Sequence, residues 1–486
     1  MRRSLRQPDA AASPRRKLLP MKILLFLLAG AAACGPLLAQ GQGPERLATT
    51  DPTPQAPSAD SIVGLEDAGG EDSTGLAVSS DTPLPNDRGA ARAAPQQRDT
   101  RFTLEQELST GISTPAAVAN DRTLFRLEYQ KYFLQHFYLN LDTTATKFWG
   151  DDHRFRTGSS AELLLRNAFL QFSAGNTSVK LGRQLVIWGE SDAGVITDVI
   201  SPRDLRELFF ISLEASRLSQ FMLLVEQFTR FGDWSVFYVP SASFNKYPVS
   251  GDLYYINPFP GFTQRLTVGG NLQEYGLRWK KTFGNSDISV MAANLLDSNY
   301  AYREQGTAAD GTSLIDGFAK RFNMVGLTFN RAMANVLFSA EIAEKSSLPY
   351  FSGTTLQNID KNDVETSLKV QYLLGNGGDH SIGLEVVNRH VMGWTSAIAP
   401  TAKDSNTLVF SWGNSFLNQN LNATWLTVFD ATHTSIESSL FLDYKLTNQV
   451  GLSLDAFYLR ARDRNSPLNP YDGVSRVVAR VLYQFQ

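Results

Sequence analysis

An all-β fold is predicted for residues 101–486: a transmembrane antiparallel β-barrel of 16–18 strands, 18 by best count, with long extracellular loops and short periplasmic turns. Three features carry it. Apolar and polar residues alternate with period two down the chain, and no uncharged apolar run in this stretch approaches the ~18 residues of a membrane helix. Short and long connections also alternate, as they do where turns lie on one side of a membrane and loops on the other. Composition sets the N-terminal boundary: of 53 aromatic residues (30 Phe, 16 Tyr, 7 Trp), only Phe26 precedes residue 101.

Residues 1–39 read as a secretory signal peptide. Six bases and one acid in residues 1–20 are followed by Met21-Lys22 and the apolar run Ile23 to Ala33. The run is too short to span a bilayer. Met21 is an alternative start to Met1, because Met21-Lys22 alone makes an adequate basic n-region. Two processing routes stay open, cleavage after Ala39 or lipidation at Cys34, the only cysteine. Residues 40–100 read as a disordered periplasmic linker. From residue 41 they hold seven Pro, seven Gly, no aromatic, ten acids and four bases, too little apolar surface to offset the entropy of ordering.

Strands are marked near 101–112, 122–133, 136–147, 161–173, 177–187, 218–229, 233–241, 271–282, 286–298, 320–330, 333–345, 362–374, 379–390, 406–417, 420–430, 434–446, 449–461 and 474–485. Within them one face is apolar and the other polar. Tyr275, Leu277 and Trp279 alternate with Glu274, Gly276, Arg278 and Lys280; Phe125, Leu127 and Tyr129 alternate with Arg126, Glu128 and Gln130. A soluble β-sandwich gives the same local pattern, but it has no reason to put tight turns at every even connection (Gly175-Asn176, Gly284-Asn285, Thr447-Asn448) and long segments at most odd ones. An even strand number leaves both termini on the periplasmic side. Aromatics near strand ends (Phe148-Trp149, Phe231 with Trp234, Tyr300 with Tyr302, Tyr350-Phe351, Trp412, Tyr471) are candidates for interfacial girdles.

If the polar face is the lumen, its charges include Glu128, Arg126, Glu274, Arg278, Lys280, Glu365, Lys369, Asp443, Lys445, Asp455 and Arg480. Both signs are present, so no ion selectivity follows. The most distinctive segment follows the fifth strand: Gly182-Arg183-Gln184, three residues, Trp188-Gly189-Glu190-Ser191-Asp192, then Asp198 and Ser201-Pro202-Arg203-Asp204. Ser201 as N-cap and Pro202 at the first helical position predict a short helix to about Glu214. The interleaved charges of Arg183, Glu190, Asp192, Asp198, Arg203, Asp204, Arg206 and Arg217, with Trp188, predict that this loop folds inward as a constriction, its base anchored by Arg183 and Glu190. A second insertion, Phe244 to Phe262, is rich in Tyr, Phe and Pro and suits a binding mouth.

Gly182-Arg183-Gln184, Trp188-Gly189-Glu190-Ser191 and the Ser201-Pro202-Arg203-Asp204 turn resemble a family of porin-like outer-membrane proteins of unknown function. That resemblance implies traffic in hydrophobic molecules, because members tend to be encoded with lipid-exporting membrane pumps. Small-solute passage is therefore the leading expectation, with a non-conducting surface-binding barrel or export partner as the alternative. The last strand, Val477 to Phe485, resembles the assembly signal of outer-membrane barrels, although Gln486 follows its aromatic. Expected partners are outer-membrane lipid, the barrel-assembly machinery and an inner-membrane exporter.

Nucleic acid is disfavoured, since residues 101–486 carry 37 acids and 34 bases. Thiol chemistry in the folded part is excluded by the cysteine count. No cofactor or metal is expected, the five histidines (His136, His153, His380, His390, His433) being scattered. Ser191 sits in Gly-Glu-Ser-Asp, without the second glycine of a nucleophile elbow, so an enzyme is not expected.

Overall fold

The computed structural model describes residues 99–112, 118–134, 136–191, 194–207, 216–374 and 380–485. The signal peptide, nearly all of the linker, and Asp192 lie outside them. The strands are β1 (Thr100–Gly111), β2 (Val118–Phe133), β3 (Phe137–Phe148), β4 (Ala161–Ala174), β5 (Thr177–Gln184), β6 (Gln220–Thr229), β7 (Gly232–Val239), β8 (Thr263–Thr267), β9 (Glu274–Phe283), β10 (Ser286–Leu296), β11 (Ala301–Thr307) and β12 (Ser313–Phe318). They continue as β13 (Arg321–Met333), β14 (Val336–Phe351), β15 (Asn358–Leu374), β16 (His380–Met392), β17 (Asp404–Phe416), β18 (Leu421–Asp430), β19 (Ser435–Lys445), β20 (Val450–Arg460) and β21 (Ser475–Phe485). One four-residue helix, α1 (His153–Arg156), lies between β3 and β4.

Eighteen strands form one antiparallel sheet that closes on itself through β1 and β21, in register from Phe102↔Phe485 to Gly111↔Arg476. Around the ring, β1–β7 are strands one to seven, β9 and β10 are eight and nine, and β13–β21 are ten to eighteen. This is the predicted count. Even connections are tight, with Gly175 at φ +55° and Gly284 at φ +56° taking the left-handed backbone that two-residue hairpins need.

Three expectations are corrected. First, two long loops are not structureless: β8, β11 and β12 form a separate three-stranded sheet, with β12 antiparallel to β11 and parallel to β8. These strands are five to seven residues long, too short for alternation to stand out. Second, β14 and β15 run past the expected ends into residues 346–361, pairing as far as Phe351↔Asn358 beyond a bulge. Third, several aromatics expected in a girdle serve otherwise. Phe148 is buried, Tyr302 meets Phe259, and Tyr471 packs beside Tyr254. At the turn end the exposed aromatics include Phe231 and Trp234 of the expected set, joined by Tyr132, Phe133, Phe283, Tyr372, Phe416 and Phe485.

The outward face is apolar: Leu163 is 74 % exposed, and Leu277, Val325, Leu368, Leu384 and Val386 lie exposed on the same side of the sheet. The inward face is not uniformly polar. On β6, β7, β10 and β13 it carries Met222, Leu224, Phe237, Val239, Met291, Ala293, Leu295, Phe322 and Met324, one apolar core inside the barrel. These strands are apolar on both faces, which happens only where something inside covers the second face. Among the described residues no helix is long and apolar enough to cross a membrane. The membrane-facing surface belongs to the sheet.

The two faces predict opposite responses to charge. Val386→Arg, at the outward centre of β16, is expected to cost about 2–4 kcal/mol of folding into bilayers, and the inward Thr407→Arg well under half as much. Denaturant titration of the bilayer-refolded protein measures both. Equal costs would mean that the faces are misassigned.

Candidate functional site: the loop that crosses the lumen

The β5–β6 loop, residues 185–219, is pinned where it leaves and where it returns. Gln184 at the end of β5 donates to the Met222 carbonyl at 3.2 Å. Arg183 belongs to the outward set of β5, and its Nη2 donates to the Ser219 carbonyl at 2.6 Å. Ser201 does not cap a helix. Its Oγ accepts from the Val186 N–H at 3.3 Å and donates to the Val186 carbonyl at 3.2 Å, tying the loop to its own stem.

Arg203 then bridges to Arg217 and Asp204 to Lys246 as isolated β-bridges, and residues 206–207 turn. The predicted helix start at Ser201-Pro202 is thus replaced by extended backbone, because β-type partners lie on both sides. The remainder of that helix, residues 208–215, falls outside the described residues.

Three of the loop's interleaved charges meet around one acid. Asp198 accepts from Arg203 at 2.7 Å and from Arg217 at 2.8 Å, all three being buried. Arg206 turns the other way, to Asp204 (Nε–Oδ1 2.8 Å) and Glu162 (3.0 Å).

Between these anchors the loop reaches the far wall. The N–H groups of Glu190 and Ser191 donate to Oε1 of Glu341, the latter at 2.8 Å, and the Thr197 hydroxyl donates to Oε2 of Glu341 at 3.0 Å. Ser191 Oγ donates to Glu385, and Lys345 Nζ donates to the Val195 carbonyl at 2.7 Å. Glu341 and Lys345 are on β14 and Glu385 is on β16, the eleventh and thirteenth strands. From the fifth strand these are six and eight places away in a ring of eighteen, where nine is opposite. The loop therefore crosses the lumen.

Its apolar side chains Val186, Trp188, Ile196 and Ile200 complete the core on β6–β14, with Trp188 edge-on to Phe237 at 5.3 Å. Gly326 on β13 makes the approach possible: a Cβ there would stand 2.8 Å from Thr197 Cγ2. The Glu190 carboxylate accepts from Asn330 and faces Arg278, Lys280 and Lys369.

Most other lumen charges are paired along the wall. Arg126 is bidentate to Asp142 (2.9 and 2.8 Å), and Arg101 is bidentate to Glu128 (2.6 and 2.8 Å). Arg480 joins Glu107 (2.7 Å), Glu105 (3.5 Å) and Asp455 across the closing seam. Lys280 meets Asp287 at 3.3 Å, Glu365 meets Lys345, and Asp443 accepts from Ser453 at 2.6 Å. Glu274 is buried, accepting from Gln220 (3.2 Å) and the Leu296 N–H (2.9 Å), while Arg278 donates to Ser289 at 3.2 Å. Lys369 is buried on β15, and Lys445 lies half-buried at the turn end of β19.

The residues that sequence reasoning missed are the loop's receptors. Ser339, Glu341, Ala343 and Lys345 alternate on β14 as clearly as Arg126, Glu128 and Gln130 do on β2, so parity alone marks Glu341 and Lys345 as inward. Nothing in the sequence marks which wall the loop reaches.

An eighteen-stranded closed barrel with an apolar exterior and a charged, loop-crossed interior is a porin-like barrel of the outer-membrane type. Residues 85–218, which include β1–β5 and nearly all of the crossing loop, match the model of a family described as "Protein of unknown function (DUF1302)". No curated protein matches the sequence.

Among solved structures the chain is similar to Pseudomonas aeruginosa OccK9 (OpdG), at 12 % identity over 79 % of this chain and 97 % of that one, TM-score 0.48. It is also similar to Acinetobacter baumannii OccAB3 (11 %, 79 % and 98 %, TM-score 0.47) and to Salmonella typhi OmpF in complex with daunomycin (12 %, 80 % and 97 %, TM-score 0.41).

Gly326→Val is expected to unseat the loop while the barrel still forms, costing about 1–3 kcal/mol through overpacking. Hydrogen exchange across residues 187–200 should rise while heat-modifiable migration on gels persists. Unchanged exchange would show that the loop does not depend on this contact.

Proposed function

We propose that this protein is an outer-membrane channel that passes small or hydrophobic solutes, with the β5–β6 loop as its constriction. One observation carries the reading: the loop reaches from β5 to β14 and β16, yet its apolar contacts fall on β6, β7, β10, β13 and β14. The inward faces of β1–β4 and β20–β21 keep side chains such as Arg126, Asp142, Glu128 and Arg480, which suit a water-filled passage better than a dry core. In this reading Glu190, Arg278, Lys280 and Lys369 border the narrowest point. Outer-membrane lipid surrounds the exposed belt, and the assembly machinery reads β21. The hydrophobic part of the solute range rests on the resemblance rather than on the lumen.

A second reading, a closed barrel that binds at the surface or serves an inner-membrane exporter, has an observation of its own. Tyr254, from the segment between β7 and β8, packs on Phe441, Phe457 and Val478 of β19–β21, so a second insertion also enters the lumen. That segment was expected at the mouth, and Phe441 is the one apolar residue on a β19 face that otherwise carries Glu437, Ser439, Asp443 and Lys445. Each accounts for the other.

Planar bilayers separate the readings: steady ohmic openings support a channel, and a silent, correctly folded barrel supports the alternative. Deleting residues 192–214 should raise conductance, and should sensitise cells to large antibiotics. Unchanged permeability in a barrel that still assembles would remove the constriction role.

A further inference from the structure

His153 has no part in the lumen wall, and no sequence motif surrounds it. It opens α1, whose N-cap Asp152 accepts from the Arg154 N–H at 2.8 Å and also from Arg122 of β2 at 2.8 Å, so the helix is fixed to the loop end of the barrel. The imidazole is fully buried. Its Nδ1 lies 2.8 Å from Asp252 Oδ1 and its Nε2 lies 2.8 Å from Glu207 Oε1.

Glu207 belongs to the β5–β6 loop and Asp252 to the segment between β7 and β8, so one ring joins the two insertions that enter the lumen. A neutral imidazole has a single N–H and would set a lone pair against one of the two carboxylates. With both carboxylates ionised, both contacts are hydrogen bonds only if the ring is an imidazolium.

We propose that His153 is a positioning residue that, as a cation, clamps the two lumen loops together, and that loss of its proton lets them separate. The consequence for conductance rests on the channel reading; the clamp itself does not.

The surroundings favour the charged form. From α1, Asp152 and Arg154 stand beside the ring, with Arg154 Nη1 at 3.6 Å from Asp252. Tyr254 presents its ring at 5.4 Å. Arg122 from β2 and Arg476 from β21 hold Glu207 at 3.0 and 2.9 Å, and Glu107 of β1 lies 3.8 Å from Arg122. Burial alone would lower the basicity of the ring, but the bonds to Asp252 and Glu207 outweigh it, and His153 titrates above its ordinary value of 6.5.

Burial would likewise raise Glu207, yet Arg122, Arg476 and His153 hold it well below the usual 4.5. Because the histidine is raised, its contribution is complete below 6.5 and is lost as pH climbs through its higher folded value. On the acid side the Glu207 arm persists until that carboxylate is protonated, well below 4.5. The opening side is alkaline.

Hydrogen exchange of the full-length, detergent-folded protein tests this, native against His153→Gln at matched pH so that intrinsic exchange rates cancel. Near pH 6 residues 194–207 and 240–262 should exchange on the order of tenfold faster in the variant, one charge-assisted bond having been lost. At alkaline pH, once the ring has lost its proton, the native protein should lose that advantage. A gap of equal size at both pH values would reduce His153 to a packing residue, and no gap at either would end the proposal.

Should the variant fail to fold, nitrogen NMR of histidine-labelled native protein decides instead. Two protonated ring nitrogens for His153 at neutral pH are expected, and a neutral ring there overturns the clamp. A pH-dependent gap in a barrel that never conducts would keep the clamp and reject the channel.

Discussion

Everything in this molecule follows from backbone groups that hydrocarbon cannot solvate. Each unpaired N–H or carbonyl in a bilayer costs several kcal/mol, so a sheet that enters one has to close. The closing pair is β1 with β21, ten residues of each strand in register. Arg480 reinforces that seam from inside, holding Glu105 and Glu107 of β1 and Asp455 of β20 together. Closure then dictates period two, because each strand shows alternate side chains to lipid and to the lumen. It also sends every irregular segment to one of the two ends or into the interior.

The same constraint explains what was legible in the sequence. All eighteen barrel strands fall where alternation and turn residues predict them, since lipid on one face is an unforgiving selector. Inside the barrel there is no such selector. Phe221 and Leu223 face outward and Met222 and Leu224 inward on β6, so Phe-Met-Leu-Leu carries no trace of which set is covered by lipid and which by protein. The Ser201-Pro202 signal failed for a related reason. Its local preference for a helix start is worth about 1 kcal/mol, and the partners Val186, Arg217 and Lys246, brought close only by the closed wall, outweigh it.

The crossing loop shows how a polar chain is held in a partly dry interior. Glu341 alone satisfies the N–H groups of Glu190 and Ser191 and the hydroxyl of Thr197, while Lys345 takes up the Val195 carbonyl. A buried backbone donor left unpaired costs about 1–3 kcal/mol, and several such groups in one loop would exceed what its apolar side chains return. Wall carboxylates on β14 and β16 are therefore as necessary to the fold of this loop as Trp188 and Ile196 are. They lie some 150 to 190 residues away in sequence, which is why only the closed ring reveals them.

The interior thus divides by what it costs to leave a charge there. Where the β5–β6 loop packs on β6, β7, β10 and β13, most buried side chains are apolar, and the buried acid Glu274 has two donors, Gln220 and the Leu296 N–H. Where Tyr254 meets Phe441, Phe457 and Val478, a smaller apolar patch is ringed by Arg476, Glu207 and His153. Between the two clusters, around β1–β3, charges occur in bidentate pairs such as Arg126 with Asp142 and Arg101 with Glu128, side by side along neighbouring strands. Removing such pairs fully from water costs more than their attraction generally returns, so a run of them along one stretch of wall argues that water stays there. The apolar clusters fix where the two insertions rest, and in the channel proposed above the paired charges line the part of the lumen that they leave open.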